Sequence, residues 1–184
     1  TYADMRRDDS PLILINASDL FHGVRFSFVQ EYFDLLCSDL NSFPVARAVA
    51  ASSAVPVLFS PVVLENYPGC DTYAARLVMA AVAGAEVNPE MREVLSGLRS
   101  YADKEKRRYA HFVDGGITDN LGLRAVYEIV EVAGGVREFT KAARGEPPRR
   151  LIVIAVDAAT QPESEAGSST RQPSLEQTID AVSS

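Results

Sequence analysis

Leu151-Ile152-Val153-Ile154-Ala155-Val156 is an uninterrupted apolar run, with Asp157 directly after it. A charge-free stretch of that length, rich in β-branched residues, suits a central strand covered on both faces. Leu12-Ile13-Leu14-Ile15 has the same character and ends at Asn16-Ala17-Ser18-Asp19. Helical periodicities lie between these runs, and that order predicts an α/β layered fold with a largely parallel sheet.

The remaining segments fit that plan. Val24, Phe26 and Phe28 alternate with Arg25 and Ser27, the period-2 pattern of a half-buried strand, and Gly23 marks the join to the strand before it. Tyr32, Leu35 and Leu36 are spaced for a helix within Glu31–Leu40. Val45–Val55 is almost entirely small and apolar, so it reads as a buried helix that ends ahead of Pro56. Val57–Leu64 reads as a short strand interrupted by Pro61.

A helical insert is expected over 72–108, divided at Asn88-Pro89, with Met91, Val94, Leu95, Leu98 and Tyr101 on one amphipathic face. Ala125, Val126, Ile129 and Val130 mark a further helix stopped by Gly134-Gly135. Residues 162–173 are rich in Ser, Glu, Gly and Pro and read as a mobile loop. Pro173–Gln177 has the form of a capping box that opens a helix just before the sequence stops. At the other end Thr1–Pro11 is a polar lead-in to a strand. The 184 residues therefore read as one incomplete domain.

Charge narrows the function. Eighteen Lys and Arg against 25 Asp and Glu give a net charge of −7, with basic residues scattered apart from Lys104–Arg108 and Arg149-Arg150. Phosphate binding wants a concentrated positive face, so a nucleic-acid partner is disfavoured. The longest apolar stretch, Leu77–Ala85, is about half of the roughly 20 residues that a bilayer-spanning helix needs, so a soluble protein, or one peripheral at a membrane, is expected. Cys37 and Cys70 have no metal-ligand spacing and suggest neither a zinc site nor a disulfide framework. Compartment and oligomeric state stay open.

Chemistry concentrates in Phe112-Val113-Asp114-Gly115-Gly116-Ile117-Thr118-Asp119-Asn120. A carboxylate at the end of an apolar strand, followed by two glycines, stands on a sharp turn where another group can approach closely. On local sequence alone the commoner role of such an Asp is to cap a turn or a helix start. Asp119 and Asn120 read as helix caps that could also support the turn under Asp114. Ser52 and Ser53 lack the flanking glycines of a nucleophile elbow and read as packing residues. His22, in a turn, and His111, in the strand before Asp114, have no Ser or Cys partner in a recognisable motif.

Three blocks in order alter that balance. Asn16-Ala17-Ser18-Asp19-Leu20-Phe21-His22-Gly23 is similar to an N-A-[ST]-D-L-x-x-G segment. Ala51-Ser52-Ser53-Ala54-Val55-Pro56-Val57-Leu58-Phe59-Ser60-Pro61 is similar to an A-S-S-A-x-P-x-x-F-x-P run. Asp114-Gly115-Gly116 with Asn120 matches a D-G-G-x-x-x-N block. Together they resemble the latter part of the patatin-like phospholipases, over about residues 11–160 with the insert excluded.

The resemblance implies a partial three-layer α/β/α fold and hydrolysis of phospholipid or other acyl esters, with transient contact to a membrane surface and no metal or organic cofactor. It makes Asp114 the base of a Ser–Asp dyad, with Gly115, Gly116 and Asn120 forming the supporting turn. A free Asp has a pKa of about 3.9 and is a feeble base toward a serine, so a partly desolvated pocket would have to raise its basicity. The family's glycine-rich oxyanion loop and G-x-S-x-G elbow do not occur here, which places the serine outside the given sequence. Gly122 stands where the family usually has proline, and the insert is longer than a compact member would carry. The insert reads as a lid or membrane-facing cap, or as plain structural elaboration. A non-catalytic lipid- or protein-binding module on the same scaffold is the alternative.

Overall fold

The structure is a computed structural model that describes residues 1–5, 13–70, 76, 89–132, 135–144, 152–156 and 174. The chain divides into two units, Thr1–Thr118 and Asp119–Ser184.

Among the described residues the first unit has four strands, β1 (Asn16–Asp19), β2 (Arg25–Ser27), β3 (Val62–Glu65) and β4 (Tyr109–Val113), in the order β2-β1-β4-β3. Every pairing is antiparallel. This corrects the expected parallel sheet and, with it, the partial three-layer α/β/α architecture: the fold is mixed α/β with an all-antiparallel sheet. The physical reason lies in the connections. β1 and β2 form a hairpin whose turn has Gly23 at φ 61°, and the long connection after β3 returns β4 beside it in the opposite sense. A helix between two strands suggests a parallel crossover, yet a long connection can equally join antiparallel neighbours.

The apolar runs also land differently. Strand β1 starts at Asn16, after the expected run; Ile13 is exposed and Leu12 lies outside the described residues. Ile152–Val156 form no strand, and Ile152, Val153, Ile154 and Val156 are 57–82% exposed. β2 is buried on both faces, because Arg25 and Ser27 are covered as fully as Phe26. The Arg25 guanidinium donates to Ser27 Oγ and to the Tyr32 hydroxyl.

The core is aromatic. Phe26 meets Phe112 at 4.4 Å between ring centroids and Tyr32, Phe28 and Tyr101 at 5.2–5.9 Å, and Phe28 stacks on Phe43. Edge-to-face and offset pairs at such separations add to area burial. Helix α1 (Gln30–Leu35) contributes Phe33 to the cluster. Helix α2 (Val45–Ser52) buries Ala48 and Ala51 but leaves Val49 half exposed, so the expected buried helix is one-sided. Helix α3 (Pro89–Arg99) starts at its proline, where a missing N–H costs nothing. As its spacing predicts, Met91, Val94, Leu95, Leu98 and the following Tyr101 are buried. Apart from Arg76, the insert before Pro89 lies outside the described residues, as does the expected loop at 162–173.

Cys37 and Cys70 form a disulfide with Cα atoms 5.6 Å apart, which the sequence reading did not foresee. It joins the end of α1 to the exit of β3. The same junction is held by Tyr67 N donating to the Leu36 carbonyl and by Lys104 Nζ donating to the Leu35 carbonyl and Asn66 Oδ1.

Helix α4 (Gly116–Asp119) is a single turn, and in the second unit helix α5 (Leu123–Val132) and helix α6 (Val136–Arg144) follow one another. The expected cap is present: Asp119 accepts from the backbone N–H of Arg124 at 3.2 Å and of Ala125 at 2.7 Å. Gly135, at φ 105°, closes α5 by donating to the Val130 carbonyl. No helix among the described residues is long and apolar enough to cross a membrane.

Candidate functional site

Asp114 leaves β4 directly after Val113, which pairs with Ser18 of β1. Its backbone N–H donates to the Ala54 carbonyl at 3.0 Å, and the Gly115 N–H donates to the Ser52 carbonyl at 3.0 Å. The Ser18 hydroxyl donates to the Asp114 carbonyl at 2.7 Å and lies 2.8 Å from the Thr118 hydroxyl. Residues from all three motif blocks therefore meet at one turn, although Ser18, Ser52 and Asp114 stand far apart in sequence. The end of α2 supplies the carbonyls that hold the turn, and β1 supplies the hydroxyl.

The Asp114 carboxylate is half-buried. Its Oδ1 accepts the Gly116 N–H at 2.8 Å, while among the described residues Oδ2 accepts no hydrogen bond. One oxygen is thus anchored in an Asx-type turn and the other is left over. That turn-capping bond is the role local sequence favours, and it still leaves an acceptor for a second group. Gly116 opens a single helical turn, Gly116–Asp119.

Gly115 is the tightest point. A Cβ there would lie 2.5 Å from the Asn16 carbonyl oxygen. The close approach expected at the glycines is therefore made by the chain's own β1 backbone. Asn120 is exposed and belongs to the second unit, beside the capping Asp119.

The other candidates have structural positions. The Ser53 hydroxyl donates back to the Val49 carbonyl at 3.0 Å, and Ser52 enters through its carbonyl. His22 is exposed; its N–H donates to Asp19. His111 is half-buried with its ring edge-on to Phe21 at 5.2 Å. Neither imidazole pairs with a serine or cysteine among the described residues, and no cluster of His, Cys, Asp and Glu among them could hold a metal ion.

Sequence reasoning missed two features. Ser18 is one, although its place in the first block was a signal. The other is a buried charge network around Asp19, which is 1% exposed. Asp19 Oδ2 accepts from the Tyr101 hydroxyl at 2.7 Å and from the Arg107 guanidinium, while Oδ1 accepts the N–H groups of Phe21 and His22. Arg107 also lies over the Tyr101 ring, 3.8 Å from its centroid. Burial, helped by the Asp19 charge, pushes the Tyr101 phenol well above its usual value. Asp19 has four donors, so this motif residue fixes the hairpin turn and the α3–β4 connection rather than offering a reactive carboxylate. None of the family models, curated proteins or solved structures compared with the chain matches it.

Proposed function

We propose that this chain supplies the base of a lipid acyl hydrolase, with Asp114 taking a proton from a serine hydroxyl outside the given sequence. The observation that supports the reading is the convergence on Asp114 of three separate blocks resembling patatin-like phospholipases. With Oδ1 held by Gly116 and its backbone held by Ala54 and Ser18, the carboxylate is pre-oriented, and Oδ2 is the oxygen that would accept the proton. Serine attacks the ester carbonyl and gives its proton to Asp114; the C–O bond to the alcohol breaks as Asp114 returns that proton to the departing alcohol, and water, activated by Asp114 in turn, hydrolyses the acyl-serine to free acid and regenerated serine. On this reading Gly115 and Gly116 shape the turn, with no cofactor involved. The substrate is a phospholipid or other acyl ester, met at a membrane surface.

Two measurements test it. The chain alone is expected to show no esterase activity, and turnover blocked by a serine-directed reagent would contradict the missing nucleophile. In a longer protein carrying a G-x-S-x-G elbow, Asp114→Asn should abolish ester hydrolysis while the far-UV spectrum is unchanged; retained turnover removes Asp114 from the chemistry. A second reading, a non-catalytic lipid- or protein-binding module, is favoured by Ile117, an exposed apolar residue three positions past Asp114, and it is the one left if Asp114→Asn changes nothing.

A further inference from the structure

Helix α1 ends at a junction that three ties hold together. The Leu36 carbonyl accepts the Tyr67 N–H at 3.1 Å, the Leu35 carbonyl accepts from Lys104 Nζ at 2.7 Å, and Cys37 is bonded to Cys70. One residue before Tyr67 the chain is fixed independently: the buried Asn66 side chain donates to the Tyr101 and Arg107 carbonyls, and its N–H donates to the Arg108 carbonyl. Residues 67–70 are therefore a short lever beyond a firm anchor, with the disulfide at its far end. All belong to the first unit. The lever borders a groove of about 420 Å³, whose lining includes Ser38, Phe43, Arg47, Glu65 and Tyr67. Cys37 adjoins one wall at Ser38 and Cys70 follows the other at Tyr67, so the bond clasps the two walls together.

Two features set this bond apart from a buried crosslink. Cys70 is exposed and Cys37 half-buried, so another thiol can reach the pair. Cys37 also sits at φ 54°, in the left-handed region where a side chain is disfavoured, and opening the bond lets it relax. Exposed or strained disulfides have the more oxidising potentials and are the ones that exchange. The Asn66 and Lys104 hydrogen bonds do not depend on the disulfide, nor does the aromatic core, so reduction leaves a folded chain.

We propose that Cys37–Cys70 is a redox-sensitive clasp: exchange with a dithiol opens it and frees residues 67–70 from the end of α1, releasing the Tyr67 wall of the groove while the chain stays folded. The inference goes beyond the acyl-hydrolase reading and does not rest on it. A thiolate of the dithiol attacks the exposed Cys70 Sγ, the bond to Cys37 Sγ breaks, and Cys37 leaves as a thiolate. The second thiol of the reductant then attacks the mixed disulfide and releases Cys70. The dithiol is oxidised to a disulfide, two electrons pass to the clasp, and the two thiol protons end on Cys37 and Cys70.

The test is a redox titration of the full native chain in dithiothreitol and in glutathione mixtures, with free thiols trapped by alkylation and counted by mass. The bond should be half reduced within the glutathione series. On reduction the Tyr67 amide should lose its protection against deuterium exchange, while the amides of β4 keep theirs and the far-UV spectrum is unchanged. Cys37→Ser/Cys70→Ser should leave the Tyr67 amide unprotected in oxidising and reducing buffer alike. If that variant fails to fold, Cys37→Gly/Cys70→Ser gives the same comparison, since glycine suits φ 54°. A bond that opens only after denaturation marks a purely structural crosslink and overturns the clasp. So does loss of β4 protection on reduction, equal Tyr67 protection in both states, or two free thiols in chain prepared without reductant.

Discussion

Gly115 joins sequence to geometry at the scale of one atom. The Asn16 carbonyl fills the space where a side chain would begin, which brings β1 close enough for Ser18 to bond the Asp114 carbonyl. Because the obstacle is backbone, Gly115→Ala must separate the turn from β1 or distort both. We expect it to cost about 1–3 kcal/mol, read as a lower urea midpoint at unchanged slope. An unaltered midpoint would show that the turn tolerates the extra carbon. Asp19 makes the opposite case: its sequence context resembles a functional motif, yet burial and four donors make it a structural anchor.

Elements acquire their ends from bonds that periodicity does not report. Helix α1 ends with Cys37 in the left-handed region at φ 54°, the Cys37 N–H on the Asp34 carbonyl and the Ser38 N–H on the Phe33 carbonyl. That is a Schellman ending at a place where glycine is the usual residue. The cysteine is there to reach Cys70. Closing a loop with a sequence separation of 33 restricts the unfolded chain, so Cys37→Ser/Cys70→Ser should lower stability by about 3–4 kcal/mol in the loop-entropy picture. The check is a comparison of urea midpoints with and without a dithiol. The native protein should fall to the double variant's value on reduction, and a native midpoint indifferent to the dithiol would exclude the bond. Neither cysteine stands in a spacing pattern, and only the meeting of the α1 end with the β3 exit pairs them.

Across the whole molecule, burial sets the response to alkali. Burial pushes the Tyr2 phenol up to about 12 and holds Tyr101 well above its usual value. Both groups keep their protons in the folded state after the unfolded chain begins to lose them near the ordinary tyrosine value of about 10. Their stabilising contribution is therefore complete below that pH and declines as pH rises, until the folded phenol also ionises. Unfolding midpoints measured between about pH 9 and 12 should fall, and Tyr2→Phe should flatten part of that fall. Among the described residues the Tyr2 hydroxyl has no hydrogen-bond partner, so this variant loses no bond. An equally steep decline in Tyr2→Phe would place the alkaline sensitivity elsewhere. What the sequence determined by itself was local: a join between strands at Gly23, the Pro89 start and buried face of α3, the Asp119 cap, and the order of the three blocks. Each follows from a side chain acting on its own or neighbouring backbone. Strand direction, the disulfide, the exposure of Ile152–Val156 and the seating of Asp114 on Ala54 and Ser18 were decided by tertiary structure. They depend on which distant segments meet, and an apolar run or a connecting helix carries no sign of the strand it will lie beside.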